Sequence, residues 1–195
     1  MSLLSGREGE QIAADCVTLV DDPMCPDAVF RLPFDDEGVA AQRTVLIENG
    51  RLNTLLYNLK TAAKAGVKST GNAHKPGIAA RVTVAPTNLC LQPGDKTRDE
   101  LFEMAGEGLY ITEISGMHAG ANAVSGDFSL VSKGFLIKDG KRADPVELIT
   151  IAGNFYQMLK DVIAVGSDMH FGFPTGAGQI GTPSLYIKEL TVAGE

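Results

Sequence analysis

The sequence contains few of the residues from which metal centres and disulfide frameworks are built. Its 195 residues include three cysteines, three histidines and no tryptophan. Cys16, Cys25 and Cys90 are odd in number and widely spaced, so we expect reduced thiols rather than a disulfide framework or a Cys-x-x-Cys metal site. A helical zinc site needs two histidines within about a turn of each other. None of the histidines has such a neighbour or a following glutamate, so we predict no metal site within this chain.

The chain also lacks an excess of basic residues and any long apolar run. Its formal net charge is −7, and its lysines and arginines are scattered singly, which argues against direct binding of nucleic acid. No apolar run approaches the roughly 20 residues that a membrane-spanning helix requires, and no signal-peptide pattern follows Met1. We therefore expect no membrane partner and a cytoplasmic location.

The composition is that of a globular domain with a substantial core. Hydrophobic residues make up 44% of the chain and charged residues 21%, which is typical of a folded domain of this length. Met1, Ser2 and Leu3 are typical of an expression scar in front of a native segment. We accordingly place a single domain at residues 4–195.

Most of the periodic segments predict strands joined by tight turns. Residues 44–48 read as a strand that meets Asn49-Gly50, a strong signal for a type I′ hairpin turn, with residues 52–57 as the returning strand. Asp139-Gly140 predicts a second tight turn. Further strands are predicted at residues 17–20, 81–85, 88–92, 109–114, 128–138, 148–151 and 185–192. Hairpin turns outnumber β-α-β alternations, which predicts an α+β class, an antiparallel-rich β-sheet domain with a few short packed helices.

Three helices are predicted between these strands. Residues 60–65 favour a short helix that Gly66 ends in the left-handed conformation. Thr97 and Glu100 fit a capping box at the start of a second helix that stops at Gly106. The third is predicted to open at Asn154, with one apolar stripe formed by Phe155, Met158, Leu159, Val162 and Ile163.

The richest polar segment is residues 116–129, which holds a histidine, two serines and an aspartate. His118, Ser125 and Asp127 invite a catalytic-triad interpretation, but no Gly-x-Ser-x-Gly elbow is present to expose a serine. The alternative is a glycine-rich loop whose side chains satisfy its own backbone. A second glycine-rich stretch, residues 172–181, lacks the helix and lysine of a phosphate loop and predicts a surface loop able to line a groove.

Several strings, in this order, resemble the C-terminal domain of the TldD/PmbA family. They are LPFDDEGV (residues 32–39), KSTGNA (68–73), VSGDFS (124–129), GFLI (134–137), PVELITIAGN (145–154) and the ending KELTVAG (188–194). Together they cover most of the chain, and an ordered set of motifs is far more specific than any single one.

The resemblance implies a component of a zinc peptidase family, also called modulators of DNA gyrase, that degrades peptides and unfolded segments. In TldD-type subunits a His-Glu-x-x-x-His helix precedes this domain, and a Cys from the domain completes the zinc site. PmbA-type subunits, also called TldE, lack these ligands and pair with a catalytic subunit. This sequence contains no His-Glu-x-x-x-His and no Cys at residues 168–178. The resemblance therefore favours a non-catalytic PmbA-type domain, with zinc expected only in a TldD-like partner.

Under this interpretation the domain contributes a substrate groove and subunit contacts. The expected partners are a TldD-like peptidase subunit or a second copy of the chain, together with peptides that add to an exposed strand edge. The groove candidates are His118, Asn122, Ser125, Gly126, Asp127, Phe128, Ser129 and Asn154. Two alternatives stay open: a self-contained hydrolase using His118, Ser125 and Asp127, and a peptide-binding module without a protease partner.

Overall fold

The computed structural model describes residues 3–175 and 178–194 of the chain. Met1 and Ser2 of the predicted expression scar, Gly176 and Ala177 of the second glycine-rich stretch, and Glu195 lie outside the described residues. The described ranges form mostly antiparallel sheets with a few short helices, which confirms the predicted α+β class. None of the helices in these ranges has the length and apolar composition needed to cross a membrane.

The elements are short and follow one another closely along the chain. The strands are β1 Leu19–Asp21, β2 Thr44–Glu48, β3 Arg51–Leu52, β4 Ala73–His74, β5 Thr83–Val84, β6 Asn88–Leu91, β7 Gly108–Ser115, β8 Asp127–Lys138, β9 Lys141–Asn154, β10 Val162–Val165, β11 His170–Phe171, β12 Gln179–Thr182, β13 Leu185–Ile187 and β14 Thr191–Ala193. The helices are α1 Leu59–Ala65, α2 Arg98–Ala105, α3 Met117–Gly120 and α4 Phe155–Lys160.

Two larger sheets organise these elements. One has six strands in the order β11-β12-β6-β1-β2-β3, and the other has four in the order β14-β9-β8-β7. The pairs β10-β13 and β4-β5 form two small ribbons. All pairings are antiparallel except that of β12 with β6. The residues at 179–182 thus lie in a sheet, and the prediction of a surface loop is wrong there because β12 hydrogen-bonds along the central strand β6.

The first predicted hairpin forms, but its returning strand is shorter than predicted. Asn49 and Gly50 have φ angles of 48° and 77°, the left-handed values that a type I′ turn requires. A Cβ on Gly50 would lie 2.3 Å from the Ala13 carbonyl oxygen, so the turn also needs glycine for space. β3 ends at Leu52 because the chain then leaves β2, and the Tyr57 N–H donates instead to Thr70 Oγ1 at 2.8 Å.

The second hairpin joins β8 to β9 and is the longest feature of the fold. Its turn residues Asp139 and Gly140 have the predicted positive φ angles of 50° and 71°. β9 continues through residues 146–148, where we expected an interruption between two strands. The interruption is absorbed by a β-bulge, in which Glu147 and Leu148 lie opposite the single residue Lys133 and Leu148 adopts φ 55°.

Helix ends agree with the capping signals, with one exception. Gly66 ends α1 at φ 71°, and in α2 the Thr97 N–H donates to Glu100 Oε2 at 2.7 Å while the Glu100 N–H donates to Thr97 Oγ1 at 3.3 Å. The third predicted helix stops at Lys160 rather than near Gly166. Its last apolar residues are β-branched, and they form strand β10 against β13 instead.

The main core lies against the six-stranded sheet. Its buried residues are Ile12, Ala13, Val17, Leu46, Ile47, Leu52, Leu91, Val162 and Val165. Burying each of the larger side chains stabilises the fold by roughly 1.5–3 kcal/mol. Because Val162 and Val165 belong to β10, the same contacts that override the predicted helix join the two halves of the chain. The predicted strand at residues 185–192 likewise divides, since β13 pairs with β10 while β14 pairs with β9.

Candidate functional site

The predicted groove residues converge at one end of the four-stranded sheet. Asp127, the first residue of β8, lies directly opposite Asn154, the last residue of β9. The turn of helix α3 follows β7, and Ala121 then bridges to Phe128 on β8. A segment that is continuous in sequence is therefore wrapped around the open end of the β8-β9 hairpin.

Asn154 is the residue that holds this end together. Its Nδ2 donates to the Ser125 carbonyl oxygen at 2.9 Å and to Asp127 Oδ1 at 2.8 Å. Its Oδ1 accepts from the N–H groups of Tyr156 at 3.0 Å and Gln157 at 3.3 Å, so the same side chain caps α4 as predicted. Gln157 does not complete a capping box, because its side chain donates to Asp161. One amide thus fixes a loop, a strand and a helix relative to one another.

The loop before β8 is closed by Asn122 and Gly126. Asn122 Oδ1 accepts from the N–H groups of Val124 at 2.9 Å and Ser125 at 3.1 Å, and the Gly126 N–H donates to the Asn122 carbonyl at 2.8 Å. Gly126 has φ 82°, and a Cβ there would lie 2.6 Å from the Tyr156 ring. The loop therefore satisfies its own backbone and packs too closely against α4 for any other residue at position 126.

The side chain of Asp127 is committed to these neighbours. Hydrogen bonds first from Asn154 and then from Ser125 hold the pKa of the Asp127 carboxyl below its usual range. His118 is exposed on α3, and among the described residues no hydrogen bond joins it to Ser125 or Asp127. A general base must lie within hydrogen-bond reach of its nucleophile or one water away from it. The geometry accordingly gives the triad interpretation no support.

An open depression of about 630 Å³ lies beside this network. It is lined by Ala119, Gly120, Ala121, Asn122, Ala123, Asp127, Phe128 and Ser129. Four of the predicted groove residues therefore line it, namely Asn122, Asp127, Phe128 and Ser129. Ser125, Gly126 and Asn154 do not line it but support the loop and strand that do. The small side chains leave room for a main chain, and Phe128 and Asp127 offer one apolar surface and one negative acceptor.

The described residues contain no evident metal site. Within residues 3–175 and 178–194, no three His, Cys, Asp or Glu side chains cluster closely enough to hold a metal ion. Whether zinc is held by a partner subunit is untested by this finding, and that expectation stays a prediction.

The KSTGNA string, which sequence reasoning used only as a resemblance, forms a buried polar network with Asp21 on β1. Asp21 Oδ2 accepts from Asn72 Nδ2 at 2.5 Å, and its Oδ1 accepts from the Thr87 N–H at 2.8 Å. Asn72 Oδ1 in turn accepts from Thr70 Oγ1 at 2.6 Å. Asp21 is fully buried, and this burial raises the pKa of its carboxyl despite the hydrogen bonds that favour the charged form.

The acidic LPFDDEGV string also has a structural role. Asp35 Oδ1 accepts from the N–H groups of Glu37 at 3.0 Å and Val39 at 2.9 Å, and its Oδ2 accepts from the Ala73 N–H at 2.9 Å. Glu37 accepts from the Leu59 N–H at 2.9 Å, at the positive end of α1. These carboxylates are already saturated by backbone donors, so they brace the KSTGNA loop rather than face a groove.

A further ion pair lies in the region where a TldD-type cysteine is expected. Arg98 donates to Asp168 Oδ2 through Nη2 at 2.6 Å and Nε at 3.0 Å, and Ser184 donates to the same carboxylate through its backbone and hydroxyl. Burial raises the pKa of Asp168, but the bonds from Arg98 and Ser184 outweigh it and lower the pKa to about 2. Asp168 thereby fastens α2 to the segment between β10 and β13.

Comparison with known sequences matches nearly the whole chain to one family. Residues 1–194 match the family described as PmbA/TldA metallopeptidase C-terminal domain. A Methanothermobacter thermautotrophicus protein named as a metalloprotease is 37% identical over 200 residues, which cover 99% of this chain and 43% of that protein. The chain thus spans less than half the length of such relatives.

Comparison with solved structures gives the same result for the fold. A Thermotoga maritima protein described as a candidate modulator of a DNA gyrase superposes with a TM-score of 0.88 at 42% identity, covering 98% of this chain and 42% of that one. TldE from Thermococcus kodakarensis superposes with a TM-score of 0.89 at 27% identity, covering 98% of this chain and 43% of its own. The sheets described above are therefore shared with experimentally determined structures.

Proposed function

The chain belongs to the PmbA/TldD metallopeptidase C-terminal domain family, and from this premise we propose that it is a non-catalytic domain of a peptidase complex. In this role it contributes a substrate groove and contacts to a TldD-like subunit or to a second copy of the chain, and it acts on peptides or unfolded segments. The zinc and its chemistry belong to the TldD-like partner.

The observation that carries the proposal is the depression beside Asn154. Its walls are preorganised, because Asn122, Gly126 and Asn154 hydrogen-bond or pack so as to fix the lining residues before any ligand arrives. Small side chains on one wall leave space for an extended peptide backbone. β7, the outer strand of the sheet, leads directly into α3 at this depression and offers an edge to which a peptide strand can add.

Two sequence features support the assignment of catalysis to a partner. The chain contains no His-Glu-x-x-x-His, and it has no cysteine at residues 168–178, where a TldD-type ligand is expected from the resemblance. The role of that region in this chain is taken by the Arg98-Asp168 ion pair, which is a structural arrangement.

The proposal is tested by reconstitution. The purified chain is mixed with an unstructured fluorescent peptide, alone and with a TldD-like zinc subunit, and both binding and cleavage are measured. We expect binding by the chain alone and cleavage only when the partner is present. Cleavage by the chain alone, abolished in Ser125→Ala, would establish the hydrolase alternative. Binding without any partner-dependent turnover would establish the peptide-binding module.

The groove itself is tested by a pair of phenylalanine variants. Phe128→Ala removes the apolar surface of the depression and should weaken peptide binding roughly tenfold, about 1.4 kcal/mol. Phe34→Ala is the matched control, since Phe34 is exposed but does not line the depression. Equal affinities for the two variants would place the peptide elsewhere on the molecule.

A further inference from the structure

The structure brings together two cysteines that are far apart in sequence. Cys90 lies on β6, between β1 and β12 in the six-stranded sheet, and only 4% of its surface is exposed. Cys25 follows β1 and is half-buried. The two thiols are in side-chain hydrogen-bond contact.

The segment that carries Cys25 is fastened to β6 by Asn88. Asn88 Nδ2 donates to the carbonyl oxygens of Asp22 and Phe30, both at 2.9 Å, and the Asp22 N–H donates to the Asn88 carbonyl at 3.0 Å. The Cys25 N–H donates back to the Asp22 carbonyl at 3.2 Å. The contact between the thiols is thus fixed by a fully buried side chain two residues from Cys90, rather than left to an unrestrained loop.

We propose that Cys25 and Cys90 form an oxidation site, at which a peroxide converts the two neighbouring thiols to an intramolecular disulfide. In the first step the Cys25 sulfur attacks the peroxide O–O bond, giving a sulfenic acid and releasing an alcohol or water. In the second, the Cys90 sulfur attacks the Cys25 sulfur, and the hydroxyl group leaves as water with the proton of Cys90. The two thiols are oxidised by two electrons and the peroxide is reduced by two.

The order of these steps follows from the surroundings of the two thiols. Burial, and secondarily the neighbouring Cys25, raise the pKa of Cys90 to about 12, so Cys90 is a poor first nucleophile toward an oxidant in solution. Cys25 is the more accessible of the pair and reacts first. Cys90 then acts as the resolving thiol, because the contact places it against the oxidised sulfur.

Cys16 provides an internal control. It is exposed, and its Sγ lies 3.8 Å from the Val162 carbonyl oxygen rather than beside another thiol. Trypsin leaves Cys16 and Cys25 in one peptide, residues 8–31, and Cys90 in another, residues 82–96. Peptide mapping therefore has to be done on the Cys16→Ser chain, so that a crosslink between these two peptides identifies Cys25.

The experiment treats the Cys16→Ser chain with hydrogen peroxide and measures intact mass and unreduced tryptic peptides. We expect a monomeric product that has lost two hydrogen atoms, a crosslink between residues 8–31 and 82–96, and reversal by dithiothreitol. The oxidised chain should also melt at a higher temperature than the reduced chain, because the crosslink restricts the unfolded state. Adding Cys25→Ser should abolish both the crosslink and the increase in melting temperature.

Other products would overturn the proposal. Sulfenic or sulfinic acid at Cys25 with no crosslinked peptide would show that Cys90 cannot resolve it, and crosslinks between chains would show that the two thiols do not meet within one molecule. Cys90→Ala is a second variant that should trap the sulfenic acid at Cys25. If that buried substitution prevents folding, the Cys25→Ser comparison still decides the question.

Discussion

Two aspartate-asparagine pairs in this molecule have the same chemistry but opposite electrostatics. In the six-stranded sheet Asn72 donates to Asp21 at 2.5 Å, and at the end of the four-stranded sheet Asn154 donates to Asp127 at 2.8 Å. The pKa of Asp21 is raised and that of Asp127 is lowered. The difference is solvent, because Asp21 is fully buried whereas Asp127 is exposed. Burial makes the first pair a constraint on the fold, and exposure leaves the second available to a ligand.

The largest effect is expected from breaking the buried pair. Asn72→Ala removes a donor from a carboxylate that water cannot reach, so it should lower the free energy of unfolding by about 3 kcal/mol. Urea unfolding followed by circular dichroism measures the change. Asn53→Ala is the matched control, since Asn53 also donates to a carboxylate, that of Glu48, but in an exposed position. A loss of less than 1 kcal/mol for Asn72→Ala would mean that the buried network is not important for stability.

The Arg98-Asp168 ion pair is expected to give a smaller effect that depends on pH. Its folded pKa of about 2 lies below the ordinary value of 3.8, so its stabilisation is fully present above pH 3.8 and is lost as pH falls through 2. The wild type should exceed Asp168→Asn in unfolding free energy by about 2 kcal/mol at pH 6. That difference should shrink steadily as the pH is lowered from 5 to 2. A difference independent of pH would contradict the lowered pKa.

The exposed pair is expected to contribute least to stability and most to binding. Asn154→Ala removes the cap of α4 and should cost about 1 kcal/mol of unfolding free energy. Asn154→Asp keeps a capping acceptor but replaces the donor to Asp127 with a second negative charge. If Asn154 preorganises the depression, both variants should weaken peptide binding, and Asn154→Asp should do so with the smaller loss of stability. Unchanged peptide affinity would separate this network from the groove.

The local signals in the sequence predicted a good part of the fold. The turns at Asn49-Gly50 and Asp139-Gly140 formed because asparagine, aspartate and glycine tolerate the left-handed conformation. The capping box of Thr97 and Glu100 formed because its hydrogen bonds join residues only three apart. Errors came where distant strands compete for the chain, as at residues 162–165, which continue a helical stripe in sequence but pair with β13 in the structure.

The candidate site was predicted in outline by residue type. The polar loop and Asn154 were identified because serine, asparagine and aspartate side chains satisfy nearby backbone groups. The position of His118 away from Ser125 and Asp127 could not be predicted, since the helical turn of α3 sets it. The buried network of Asp21 also escaped prediction, because Asn72 and Thr87 reach it from 51 and 66 residues away.

The sequence by itself determined the turns, the caps, the antiparallel-rich class and the family, because each depends on residues close together or on ordered strings. The tertiary structure alone decided which polar groups are buried, which line the depression and which cysteines meet. These outcomes depend on strand pairings between distant residues, such as β6 between β1 and β12. Local propensities carry no information about such pairings, whose free energy comes from the core that they jointly enclose.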